Sequence, residues 1–192
     1  MLNSLIGIIA SSGGVAGGAY ESIASATGTG SITSITFSSI PSTYTSLQVR
    51  ILARNTNAST DASIAQFTLN GDTTAANYAW HELRGDGATA SASGASGSLP
   101  YYGMSVRNGA AAGIMGVTVM DIHNYASTTQ NKTVRTFSGN DRNGAGIVGL
   151  WSGVYLNTSA VSSLTLYANT LASSTTYFTS NTVVALYGIK GA

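Results

Sequence analysis

The chain has 192 residues, of which 8% are charged, with Lys+Arg 8, Asp+Glu 7, a net charge of +1 and no cysteine. That length suits one domain, and 43% hydrophobic residues can build its core, while charge far below the usual ~25% is unlike both an ordinary cytosolic enzyme surface and a disordered chain. The near-zero net charge removes the basis for strong nucleic-acid binding, and the missing cysteines exclude disulfides, thiolate metal sites and a cysteine nucleophile.

Residues 1–19 read as an N-terminal arm, and residues 20–192 as one β-sandwich domain. Leu2, Leu5, Ile6, Ile8 and Ile9 form an apolar tip on a tether containing Gly13, Gly14, Gly17 and Gly18. The apolar run is too short to span a membrane, and no Lys or Arg precedes Arg50, so a secretory signal is disfavoured. The arm either docks on something or frays; the sequence leaves both open.

From there the alternation is that of strands. A first strand is expected near 31–38, punctuated by Pro41. Leu47, Val49, Ile51 and Ala53 alternate with Gln48, Arg50, Leu52 and Arg54 in a half-buried strand. Ala65, Phe67 and Leu69 head another, which ends at the tight-turn pair Asn70-Gly71. Tyr78, Trp80 and Glu82 face one way in the next, with His81 and Leu83 opposite. Residues 88–98, ATASASGASGS, carry no large side chain and read as a surface loop. Met104 and Val106 suggest a short strand. Residues 114–122 are apolar on both parities, which predicts a central strand covered on both faces. Strands follow near 133–138, 147–156, 164–166 and 183–189. Eight to ten strands without a repeat predict an all-β, jelly-roll-like antiparallel β-sandwich with an extended N-terminal arm.

Few residue groups suggest chemistry. Asp121 and His123, at i and i+2, share a strand face as half of a hydrolytic triad would, but the nucleophile-elbow pattern is absent. A metal site from His81, His123 and Asp121 needs a chance meeting in space. Asp72, Glu82, Asp86, Asp121 and Asp141 include no pair that spacing singles out as glycosidase carboxylates; pairing with Arg50, Arg54, Arg84, Arg107, Arg135 or Arg142 is the plainer reading. Arg84-Gly85-Asp86 spells a common adhesion tripeptide, read more simply as a turn with positive φ at Gly85. Trp80, Trp151 and Tyr155 are candidate subunit-interface anchors, with a place in the core as the alternative. No catalytic residue, metal or cofactor is expected.

Whole phrases carry a further signal. TFSSIPSTYTSLQVR, NGDTTAANYAWHEL followed by GDG, NYASTTQNKTVRTFSG, GLWSG, ALYGIKG and the opening LIGIIASS resemble virion structural proteins of tailed bacteriophages, especially phages of aquatic bacteria. The resemblance implies a jelly-roll-like fold, a homo-oligomer (commonly a trimer) and no enzymatic activity. It also implies a place on the virion: on the capsid surface as a cement or decoration protein bound to the major capsid protein or other virion proteins, or in the tail as a fibre or adhesion protein touching host glycans through loops such as 85–103. On the first of these, the arm residues Leu2, Leu5, Ile6, Ile8 and Ile9 would grip the shell.

Overall fold

The computed structural model describes residues 19–191. The arm residues Leu2, Leu5, Ile6, Ile8 and Ile9 lie outside the described residues. Twelve strands follow in order: β1 (Tyr20–Thr27), β2 (Ser34–Phe37), β3 (Ser46–Asn55), β4 (Ala62–Leu69), β5 (Tyr78–Gly85), β6 (Ala90–Ser96), β7 (Tyr101–Arg107), β8 (Gly116–His123), β9 (Lys132–Asp141), β10 (Gly146–Tyr155), β11 (Leu164–Tyr167) and β12 (Val183–Ile189). A 3-10 turn, Ala75–Asn77, separates β4 from β5.

The strands form two layers. The larger runs β1-β12-β3-β8-β9-β10-β5-β6 and the smaller β2-β11-β4-β7. A short parallel pairing of Arg54 and Asn55 on β3 with Val106 and Arg107 on β7 links them at one seam. The pairs β1·β12, β2·β11, β3·β8 and β4·β7 are nested antiparallel pairs, as in one long hairpin. Lateral pairing of β12 with β3 and of β11 with β4 rolls that hairpin into two sheets. This is a jelly-roll-like scheme.

Two hairpins are inserted into it: β5–β6 between β4 and β7, and β9–β10 between β8 and β11. Because β10 pairs with β5, together they widen the larger sheet by four strands.

Alternation places the core as expected. Leu47, Val49, Ile51, Met120, Ile122, Val184 and Leu186 from the larger sheet meet Ile35, Phe37, Phe67, Leu69, Leu164 and Leu166 from the smaller. Asn70 and Gly71, at φ 54° and 67°, make the tight turn that the Asn-Gly pair predicts.

Two buried cations fix loops rather than carry out chemistry. Arg54 donates to the carbonyls of Asn108, Ala110, Ala111 and Ile114 and to Asn108 Oδ1, pinning the loop after β7. Lys132 spends its three donors on the carbonyls of Ser127, Gln130 and Thr158, and burial lowers its pKa.

Several expectations are corrected. Residues 90–96 form the strand β6 rather than a loop, because backbone pairing with β5 needs no large side chain. The described residues form twelve strands, and β1 lies where no strand was expected, its Ser, Ala and Glu giving little periodicity. β8 lies mid-sheet, yet Val117 on its outer face is 54% exposed, because no layer of the described residues covers that side. The positive φ near Arg84-Gly85-Asp86 belongs to Gly87; Gly85 stays in β5.

Candidate docking surface

Inward residues along β9, β10 and β5 are buried, whereas their outward neighbours are open. Register sets those outward residues in rows across the larger sheet. One row runs Val183–Leu52–Val117–Gly139–Val148–Gly85–Ala90. The next runs Ala185–Arg50–Val119–Phe137–Leu150–Leu83–Ala92. Together they hold seven of the large hydrophobic side chains that the fold leaves exposed: Leu52, Leu83, Val117, Phe137, Val148, Leu150 and Val183. Leu83 and Phe137, the most open, are 56% and 55% exposed.

At ~90 Å² for each half-exposed large side chain, these seven present roughly 600 Å² of apolar surface. That is at the top of the range for the largest patch on an ordinary monomer. An apolar depression of about 330 Å³ lies within it, lined by Leu83, Ala90, Phe137, Val148 and Leu150.

A polar row borders the patch. Tyr187, Gln48, Asp121, Arg135, Ser152 and His81 follow in register. Gln48 Nε2 donates to Asp121 Oδ1 at 2.9 Å, and Arg50 Nε donates to Gln48 Oε1 at 3.0 Å. The Arg50 guanidinium stacks on the rings of Tyr20 and Tyr187, 5.5 and 5.1 Å from their centroids. The boundary between apolar and polar rows is therefore built and held, as at the rim of an interface.

The sequence-predicted residues divide over this frame. Asp121 and His123 do share the outer face, but Asp121 is engaged by Gln48 and lies opposite Arg135 in register. His81 lies three strands from Asp121, so the two do not gather. Among the described residues, no group of three or more His, Asp or Glu could hold a metal.

Glu82 points inward from β5 and accepts a hydrogen bond from Trp151 Nε1 at 2.8 Å, with Arg84 Nε 3.5 Å from its other oxygen. Asp72 holds a corner: Asn77, the Thr74 amide and Tyr155 all donate to it. Burial pushes its carboxyl up, but these bonds outweigh it and lower the pKa overall. Asp86 accepts from the Ala88 and Thr89 amides, which lower its pKa and close the β5–β6 turn.

The candidate interface anchors lie inside a single copy. Trp151 is 2% exposed, Tyr155 1% and Trp80 9%. Trp80 packs edge-on against Tyr101, and Tyr155 stacks on Tyr78. Their inward parity places them in the interior of a single copy, on the face opposite the apolar patch. The surface residues that matter here were passed over because each looks ordinary alone. Leu83, Phe137 and Leu150 become a patch only when β5, β9 and β10 are set side by side.

Comparison with known proteins found no matching family model, no matching curated protein and no matching solved structure. Among the described residues, no helix is long and apolar enough to cross a membrane.

Proposed function

We propose that this chain is a bacteriophage virion structural protein without enzymatic activity, a cement or decoration protein that docks on the assembled head. The single observation that carries the docking role is the exposed apolar face of the larger sheet, with its polar border. The sequence phrases resembling tailed-phage virion proteins supply the partner: the major capsid protein.

The energetics favour a repeated partner. Burying roughly 600 Å² of apolar surface supplies on the order of 15 kcal/mol gross. Lost rigid-body freedom and side-chain ordering take back an estimated 4–15 kcal/mol. One such contact gives modest affinity, and repetition on a lattice raises it steeply. Binding only the assembled shell then stabilises that shell by mass action. The arm residues Leu2, Leu5, Ile6, Ile8 and Ile9 would add a second grip in the same proposal.

Gold-labelled antibody on intact virions tests the location. Label spread over the head is the expected result. Label confined to the tail would replace this reading with a fibre or adhesion role, and a virion without label would overturn both. The face is tested separately with a triple variant, Leu83→Ser, Phe137→Ser and Leu150→Ser, added to shells lacking the protein. Loss of binding with an unchanged circular dichroism spectrum is expected; undiminished binding would remove the face from the proposal.

A further inference from the structure

Each layer of the sandwich ends in two edges, and three of these four edges are guarded. β1 carries a bulge between Ser22 and Ala24, and its Glu21 is paired with Lys190. β2 is four residues long and is followed by Ser39 at positive φ and then Pro41. β7 is tied to β3 across the seam and bends at a register shift opposite Ala65 and Gln66. Short length, bulges, charge and proline are the devices by which soluble proteins keep sheet edges from pairing.

β6 has none of them. It is seven residues, ASASGAS, paired with β5 in unbroken register from Ala79↔Ser96 to Gly85↔Ala90. It ends the larger sheet, and among the described residues no strand pairs with its other side. Six of its seven residues are exposed. It carries no charge and no proline. Gly94 leaves room for the His81 ring, which sits where a side chain at 94 would be: a Cβ there would come within 2.5 Å of it. The edge is therefore flat and free of bulky side chains.

We infer that β6 is the pairing edge for a second copy of this chain, joined antiparallel about a two-fold axis through Ser93. In that register Ala90 lies opposite Ser96 of the other copy, Ser91 opposite Ala95 and Ala92 opposite Gly94. Every cross-strand pair matches small with small. A foreign extended peptide would draw its specificity from side-chain pockets beside the edge, and β6 has only Ala, Ser and Gly to build them. A second copy needs no pockets, because backbone hydrogen bonds and shape suffice. A two-fold axis normal to the sheet also puts both apolar faces on the same side of the joined sheet. The pairing stands whether or not the partner of that face is a capsid.

The absence of cysteine makes the test clean. Sedimentation equilibrium of the full chain should give twice its 19.5 kDa. Ser93→Lys and Ala92→Pro should each return it to a single-copy mass; the Asp86–Thr89 and Tyr78–Gly97 backbone bonds fix the alternation that turns the Ala92 amide away from β5, so proline there costs no β5–β6 bond. Under mild oxidation Ser93→Cys should cross-link much faster than the loop control Ser42→Cys. A mixture of Ser91→Cys and Ala95→Cys chains should give mainly the mixed dimer. A single-copy mass for the parent chain would overturn the inference. So would a trimer, or a dimer unaffected by both β6 variants, or cross-linking at 93 no faster than at 42.

Discussion

The two halves of the larger sheet follow different rules. In the half formed by β1, β12, β3 and β8, the smaller sheet covers the inner face, and the outer face carries the Gln48–Asp121 and Arg50 contacts beside Leu52, Val117 and Val183. In the half formed by β9, β10, β5 and β6, the inner face meets β7 and the segment before it: Trp80 packs on Tyr101, and Met104 N donates to Ser138 Oγ. The Trp151 ring lies on Gly149, where a Cβ would come within 2.4 Å of it, and Pro100 packs on Gly153. The outer face of this half holds Leu83, Phe137, Val148 and Leu150, and its last strand is the unguarded β6. Both halves bury their inner faces and share the outer apolar face, but the second, built from two inserted hairpins, carries its most open members, Leu83 and Phe137.

Core truncation in the covered half should produce the largest effect. Phe67 is 1% exposed at the centre of the smaller sheet. Phe67→Ala should cost about 3–5 kcal/mol of unfolding free energy, read from urea unfolding, through lost transfer energy and the cavity left behind. A cost below ~1 kcal/mol would mean that the two sheets do not share one core.

Alkaline pH should come next, acting at the buried end of β5 and β10. Tyr78 and Tyr155 stack there with ring centroids 4.8 Å apart. Burial raises both phenols, with Tyr155 pushed up to about 12. Below the ordinary tyrosine pKa of ~10 the folded and unfolded chains hold these protons equally, so stability does not depend on them. As pH rises from there towards about 12, the unfolded chain releases the Tyr155 proton while the folded chain keeps it. Stability then falls by ~1.4 kcal/mol per pH unit for each such tyrosine. Urea unfolding across this window should show that slope, and Tyr155→Phe should lower it by one tyrosine's share, ~1.4 kcal/mol per pH unit; an unchanged slope would show that Tyr155 is not responsible.

The interior of the second half can be tested at Glu82. Glu82→Ala leaves Trp151 Nε1 without its acceptor in a buried setting. It should cost about 1–3 kcal/mol, and Glu82→Gln, which keeps an acceptor, should cost less. Equal losses would mean that charge rather than the tryptophan bond matters there.

Much of the fold was legible because one-sided burial writes itself into alternation. The alternating sets of β3 and β5 could be read residue by residue, and the Asn70-Gly71 turn followed from its residue types. β6 was not legible: a strand of Ala, Ser and Gly has no period, and only its register with β5 reveals it. The docking face was illegible for a different reason. Its members come from six strands that are distant in sequence, and strand order assembles them. Arg54 and Lys132 were also missed as loop anchors, since carbonyl partners leave no mark in a sequence.

The smallest expected effect on stability is also the one that separates the two halves best. Leu83 and Leu150 face each other across β5 and β10, both about half exposed. If the outer face belongs to the core of a single copy, Leu83→Ser with Leu150→Ser should destabilise like other core changes. If it is a face waiting for a partner, the pair should shift unfolding by no more than ~0.5 kcal/mol per site, the usual range for surface substitutions. The same double variant should be more soluble at high salt, where burial of apolar surface is strengthened. A neutral melt combined with reduced self-association would assign these leucines to binding. A melt lowered by several kcal/mol would return them to the fold, and the inserted hairpins would then be structural buttresses rather than a docking platform.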